Sequence, residues 1–149
     1  MKFNFHVETE IERPLEAVIR LFANREHLPK WQPGLTSSEF MESKPYLKYR
    51  LRFQLGRRKM SMMETITRNE LPEHFDGYYE MKGMKMEIQN SFTSVGLNRT
   101  RWTSDVEYRF KGLMALIAPF MKENFRKQSV ILMKNFKGFA ESNRLRKDE

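Results

Sequence analysis

Hydrophobic and polar residues alternate one by one at the start of the chain and through most of its middle. The first alternating segment runs from Phe3 to Ile11, and period two is typical of a strand with one buried face. Similar runs from about Leu35 to Phe110 are divided into six further strands by turn signals at Lys44-Pro45, Gly56-Arg57, Leu71-Pro72, Lys82-Gly83 and Gly96-Leu97-Asn98. Because these connections are short, we expect a seven-stranded antiparallel sheet.

Apolar residues recur at helical intervals both before and after these six strands. Pro14 suits a helix start, and Asn24 can cap a second short helix through His27, so two short helices are predicted after the first strand. Lys111 to Ser142 is predicted to form one long amphipathic helix, which Pro119 kinks near its start. A curved antiparallel sheet covered by a single long helix is an α+β arrangement, and we expect it to leave a cavity between sheet and helix.

The alternation also assigns an inward side to each predicted strand, and that side is rich in aromatic residues and methionine. Methionine side chains repack around irregular apolar shapes because the thioether chain is flexible. Two interpretations stay open, a pocket that tolerates varied ligands and a filled core in which methionine closes gaps. The inward methionines are Met60, Met62, Met81, Met84 and Met86.

A few polar groups interrupt this apolar face and are candidates for orienting a ligand. Glu64 faces inward if it shares the register of Met62 and Ile66, as an acid, a ligand anchor or half of a structural ion pair; a shift of one residue makes it a solvated side chain. Asn90 and Ser104 either contact a ligand or bond to neighbouring backbone. The candidate ligand-binding residues on the strands are Glu64, Tyr79, Met86, Asn90, Trp102 and Ser104.

The long helix carries its own polar exceptions. In a helical projection Asn124, Gln128 and Asn135 fall within the apolar arc, where an amide needs a hydrogen-bond partner. Sheet side chains or trapped water are one source of partners, and a ligand is the other. Asn124 and Gln128 therefore complete the set of candidate ligand-binding residues.

Size, charge and composition exclude several function classes. The 149 residues suit one domain over residues 1–149, and the N-terminus lacks a secretory signal, which predicts a cytoplasmic protein. No apolar run approaches the roughly 20 residues of a membrane span, so we expect no stable membrane insertion. The net charge is +8, but the outward positions of the basic segment from Lys48 to Lys59 lack interleaved aromatic residues, so nucleic acid is not an expected partner.

Catalytic and metal motifs are missing from the sequence. There is no cysteine, and His6, His27 and His74 lack the spacing of a metal site. A nucleophile elbow, a phosphate-binding glycine loop and a dinucleotide fingerprint are also missing. We therefore assign no catalytic residue, metal or cofactor, and leave open whether the protein is an enzyme.

The order of elements resembles the helix-grip fold of the START-like superfamily (SRPBCC), which includes polyketide cyclases, plant pollen-allergen proteins and lipid-transfer domains. Nearly the whole chain takes part. The segments that resemble bacterial members are Met63-Glu64-Thr65-Ile66, Asn69-Glu70-Leu71-Pro72, Thr100-Arg101-Trp102, Phe125-Arg126-Lys127-Gln128 and Phe136-Lys137-Gly138-Phe139-Ala140-Glu141. The resemblance implies a hydrophobic pocket between sheet and helix that takes a lipid-like, aromatic or polyketide-like molecule.

Three hypotheses for function follow. The first is binding of a small hydrophobic ligand in the pocket. The second is an enzyme of the polyketide cyclase or dehydratase type, in which Glu64 moves a proton. The third is a non-catalytic module that binds a partner through the basic strand or through the apolar segment from Leu113 to Met121.

Overall fold

A seven-stranded antiparallel sheet dominates the structure, a computed structural model that describes residues 1–143. Its strands are β1 (Lys2–Ile11), β2 (Leu35–Glu42), β3 (Leu47–Leu55), β4 (Arg58–Glu70), β5 (His74–Met81), β6 (Met84–Gly96) and β7 (Arg99–Phe110). They lie in the order β1-β7-β6-β5-β4-β3-β2, so β2 to β7 form a meander and β1 pairs with β7. The predicted strands, turns and antiparallel pairing are confirmed; residues 144–149 of the predicted domain lie outside the described residues.

Two short helices follow β1, as predicted. They are α1 (Leu15–Ala23) and α2 (Leu28–Trp31), with a 3-10 turn at Arg25–His27 between them. The Asn24 side chain accepts a hydrogen bond from the Glu26 amide at 3.0 Å and so caps this turn. The helical segment after β1 thus begins at the predicted signals, but it continues past the predicted end at His27 to Trp31.

The C-terminal helix is interrupted, which corrects the expectation of one helix from Lys111 to Ser142. It consists of α3 (Leu113–Ile117), a 3-10 turn at Ala118–Met121 and α4 (Lys122–Ser142). Pro119 has no amide hydrogen and cannot continue the α-helical hydrogen bonds. The residues around it, Ala118–Met121, form the 3-10 turn instead. The predicted kink is therefore a complete break between two helices.

The dense part of the core lies under the short helices. Phe22 packs edge-on against Phe92 at a centroid distance of 4.8 Å, and Trp31 packs against Phe136 of α4 at 5.0 Å. Trp102 of β7 contacts the same rings. A second cluster joins Phe3, Phe110 and the Phe125 end of α4. The helix is thus fixed over β1 and β7 at both of its ends.

The backbone of α4 lies much closer to β1 than to the middle strands of the meander. The helix runs along β1 and reaches α1 and α2, and within residues 1–143 it makes no comparable approach to β3, β4, β5 or β6. Many apolar side chains on the inner face of these four strands pack against the two core clusters but stay half-buried. This arrangement defines the site.

Candidate functional site

Part of the inner face of the middle strands is apolar and only half-buried. Its side chains are half-buried although they point to the concave side, and the outward side of each strand carries different residues. Solvent therefore reaches them from the concave side, next to α4. We call this space the open cleft; it is lined by Met60, Met62, Tyr79, Met81, Met84, Met86 and Ile88.

The amides of α4 do not point into the cleft, contrary to expectation. Asn124, Gln128 and Asn135 are exposed, while the buried stripe of α4 runs through Met133 and Phe136. The projection failed because it treated the segment as one continuous helix, whereas a 3-10 turn advances by 120° per residue and shifts every later position.

Asn124 and Gln128 nevertheless lie together on one side of α4. Lys137 marks the other side, since its ammonium group donates to the Glu10 carbonyl of edge strand β1 at 2.8 Å. Gln128 precedes Lys137 by nine residues, which at 100° per residue places it on the opposite side of the helix. Gln128, and Asn124 one turn before it, therefore lie on the side of α4 away from β1.

Glu64 faces inward and is the most buried carboxylate of the site, with 6% of its surface exposed. Arg25, from the 3-10 turn after α1, donates to Glu64 Oε1 at 2.6 Å and to Ser38 Oγ at 2.8 Å. The guanidinium group also lies 3.6 Å from the ring centroid of Tyr49. Of the alternatives for Glu64, the inward register and the ion pair are the ones observed.

Tyr79 forms a hydrogen bond with the second oxygen of the Glu64 carboxylate. Its hydroxyl donates to Glu64 Oε2 at 3.1 Å. Burial of the hydroxyl end and, next, the negative charge of Glu64 raise the pKa of Tyr79 well above 10, even though the ring edge is partly accessible. Tyr79 is therefore a neutral hydrogen-bond donor at any working pH.

Asn90, Trp102 and Ser104 come together in one buried network. The indole of Trp102 donates to Asn90 Oδ1 at 2.9 Å, and the Ser104 hydroxyl donates to the same oxygen. The Asn90 amide donates to the Phe75 carbonyl at 3.1 Å. These three candidates satisfy one another and the backbone, so they hold β5, β6 and β7 in place next to the cleft.

The end of the cleft at Glu64, Arg25 and Tyr79 contains an unsatisfied hydrogen-bond donor. Arg25 Nε is buried and has no hydrogen-bond partner among the described residues, which is costly unless another group accepts its proton. A cavity of about 10 Å³, the size of one water molecule, adjoins Glu64 and Tyr79 where β4 and β5 shift register. A larger groove of about 440 Å³ lies elsewhere, on the polar outer face around His6 and Asp105.

Sequence reasoning missed Arg25. It is 39 positions from Glu64 in the chain, and only the return of the α1–α2 segment over the sheet brings the two together. One signal was available: an inward carboxylate requires a cationic partner, and Arg25 is a basic residue of the segment that must cover the sheet. No group of three or more potential metal ligands occurs in the described part of the chain.

The chain matches the family model described as polyketide cyclase / dehydrase and lipid transport over residues 2–137. No match was found among curated proteins.

Solved structures share the fold at low sequence identity. The aromatase/cyclase Zhui from Streptomyces sp. R1128 is 13% identical with a TM-score of 0.79, and 96% of each chain is covered. A conserved protein from Geobacillus kaustophilus is 19% identical with a TM-score of 0.79, covering 95% of this chain and 97% of its own. A START superfamily protein from Mycobacterium smegmatis is 16% identical with a TM-score of 0.75, and the match covers 93% of this chain and 97% of the other. The family model matches most of the chain, and its sheet and long helix have the helix-grip fold; the chain therefore belongs to the polyketide cyclase / dehydrase and lipid transport family.

Proposed function

We propose that this protein binds a small hydrophobic molecule, lipid-like or aromatic, in the open cleft. The observation that supports the proposal is the partial accessibility of a methionine-rich inner face, whose side chains stay half-buried next to the two core clusters. Apolar surface left in water costs roughly 25 cal/mol per Å², so a ligand that removes it from water gains affinity. The flexible methionines suit ligands of irregular shape.

A polar group on the ligand would be oriented at the two ends of the cleft. Arg25 Nε offers an unused buried donor beside the Glu64–Tyr79 pair. On α4, Asn124 and Gln128 offer exposed amides. Tyr79 and Met86 contribute the wall between these two ends. Few polar groups around a large apolar surface is the usual composition of a ligand site.

The test is a matched pair of lysine substitutions on one strand. Met86→Lys places a charge on the cleft side of β6, whereas Gln89→Lys adds the same charge on the exposed outer side. With oleate and 1-anilinonaphthalene-8-sulfonate as probes, we expect Met86→Lys to weaken binding about tenfold or more and Gln89→Lys to leave it unchanged.

Two results would contradict the proposal. One is that the unsubstituted protein binds neither probe by fluorescence or native mass spectrometry. The other is that both lysine variants bind as tightly as the parent, which would place the probes outside the cleft.

The cyclase or dehydratase alternative gains nothing from the geometry of Glu64. A general base needs a free carboxylate oxygen within hydrogen-bond reach of the substrate proton. Here Arg25 occupies Oε1 and Tyr79 occupies Oε2. Ligand binding is therefore the function that the arrangement supports best.

A further inference from the structure

The short helix α3 and the turn after it expose a row of large apolar side chains. Leu113, Leu116 and Phe120 are 74%, 71% and 87% exposed, and Ile117 is 43% exposed. Their spacing of three and four residues places them on one side of the segment. We call this set the α3 patch. An apolar surface of this kind on a folded protein marks an interaction site.

The α3 patch lies at one end of the sheet, and the chain reversals at that end are basic. In the meander, the β3–β4 turn, the β5–β6 turn and the end of β7 share this end. Their residues include five cations and no acid: Arg57, Arg58, Lys59, Lys82 and Lys111. The turns at the opposite end carry Glu42, Glu70 and Glu73 together with Lys44 and Arg99, so the basic surplus lies at the end of the α3 patch.

These cations are available to a partner. None of the five forms an ion pair with another residue in the described part of the chain. The basic side chains on β3 differ, since Arg50 and Arg52 lie 3.7 and 3.2 Å from Glu39. Lys111 is also tied to the patch by the backbone, because its amide donates to the Gly83 carbonyl at 3.1 Å and Gly83 lies against Met114.

We infer that this end of the molecule docks reversibly on an anionic lipid surface. Protruding leucine and phenylalanine side chains enter the boundary between headgroups and acyl chains, and lysines around them meet the anionic headgroups. A protein partner would instead need a pocket shaped for each protruding side chain. The inference does not depend on the ligand-binding proposal, since docking uses outward residues and leaves the cleft unaltered. No helix in residues 1–143 is long and apolar enough to cross a membrane.

The first arm of the test removes the apolar contacts. The full chain is sedimented with vesicles of phosphatidylcholine, with and without phosphatidylglycerol. We expect binding only to the anionic vesicles, weakened at least about tenfold in the variant Leu113→Ser/Leu116→Ser/Phe120→Ser. The control is Leu97→Ser, which removes a side chain that is 94% exposed in the turn at the opposite end of β6. It should bind like the parent.

The second arm removes charge. Each lysine near an anionic surface contributes about 1 kcal/mol, or about fivefold, so Lys82→Gln/Lys111→Gln should reduce binding about 30-fold. Lys44→Gln/Lys134→Gln makes the same change in net charge on exposed residues away from the patch and should have little effect. Circular dichroism confirms that each variant is folded.

The inference is overturned if the parent does not bind anionic vesicles, or if the serine variant binds them as well as the parent. It is also overturned if the parent is a dimer by light scattering and the serine variant is a monomer, because a second copy would then cover the patch. Probe binding in solution is measured separately, so failure of docking and failure of ligand binding are distinguishable.

Discussion

Glu64 shows how one buried side chain depends on a distant one. Arg25 and Tyr79 together satisfy both carboxylate oxygens, and Arg25 itself is held over the Tyr49 ring. Removing one member of a buried ion pair leaves the other charge without compensation, which is far more destabilising than losing an exposed pair. The cluster ties the α1–α2 segment to β4 and β5.

Glu64→Gln is therefore expected to destabilise the protein by about 3 kcal/mol, at the low end for a buried pair because Arg25 retains some access to water. Tyr79→Phe removes a single hydrogen bond and should cost about 1 kcal/mol. Urea unfolding provides both values. Glu80→Gln, which makes the same chemical change at an exposed position on β5, is the control and should fall within about 0.5 kcal/mol of the parent. Equal effects of Glu64→Gln and Glu80→Gln would show that the ion pair adds no stability.

At the scale of elements, the meander requires one very close approach between strands. A Cβ atom at Gly77 of β5 would collide with the Thr65 carbonyl oxygen of β4, next to the register shift between Ile66 and Arg68. Backbone atoms cannot yield as a flexible side chain does. Gly77 is therefore required by the packing of two neighbouring strands.

Gly77→Ala should destabilise the fold by about 2 to 4 kcal/mol, because the strands must separate locally. Gly138 offers the matched control: it lies on the exposed side of α4, where an added Cβ meets nothing within 4 Å. Gly138→Ala should stabilise the protein by up to about 1 kcal/mol through helix propensity. Thermal unfolding would contradict this account if the two alanines shifted stability in the same direction.

The strands could be predicted from sequence because alternation and turn residues are local signals. Phe3 to Ile11 and Lys82-Gly83 carry their information within a few residues, and register then followed from the buried face. The side chains of α4 could not be placed in the same way. Their direction depends on the 3-10 turn at Ala118–Met121, which changes the helical phase.

The partners of polar groups were the other part that sequence did not provide. Asn90 receives hydrogen bonds from Trp102 and Ser104 on the neighbouring strand, and Arg25 reaches Glu64 from a different layer. Both depend on tertiary contacts over many residues. The residue types therefore indicated which buried polar groups needed a hydrogen-bond or ion-pair partner. Only the fold shows which residues those partners are.

Considered as a whole, the molecule combines a rigid end with an open one. Phe22, Trp31, Trp102 and Phe136 fill the space under α1 and α2, while the methionine-rich part of the inner face stays half-buried. The core thus fixes the frame of the cleft without filling it. The same frame buries two tyrosine hydroxyls, and this links the stability of the entire fold to alkaline pH.

Alkaline pH should unfold this protein earlier than its core alone would suggest. Burial raises the pKa of Tyr108, and burial together with Glu64 raises the pKa of Tyr79, so the folded state keeps both phenols neutral. In the unfolded chain they ionise from about pH 10. Their contribution to stability is complete below that pH and is lost as pH rises toward the folded-state pKa, with a slope of about 1.4 kcal/mol per pH unit for each tyrosine.

Tyr79→Phe should reduce the alkaline slope above pH 10 by up to about 1.4 kcal/mol per pH unit, although it lowers stability at neutral pH. Urea midpoints measured from about pH 9 to pH 12 provide the slope, and absorbance at alkaline pH counts the phenolates that appear on unfolding. Tyr46→Phe, at an exposed position between β2 and β3, is the control and should keep the parent slope. If Tyr79→Phe also kept it, the Tyr79 hydroxyl would have to ionise in the folded protein, and its burial beside a charged Glu64 would be wrong.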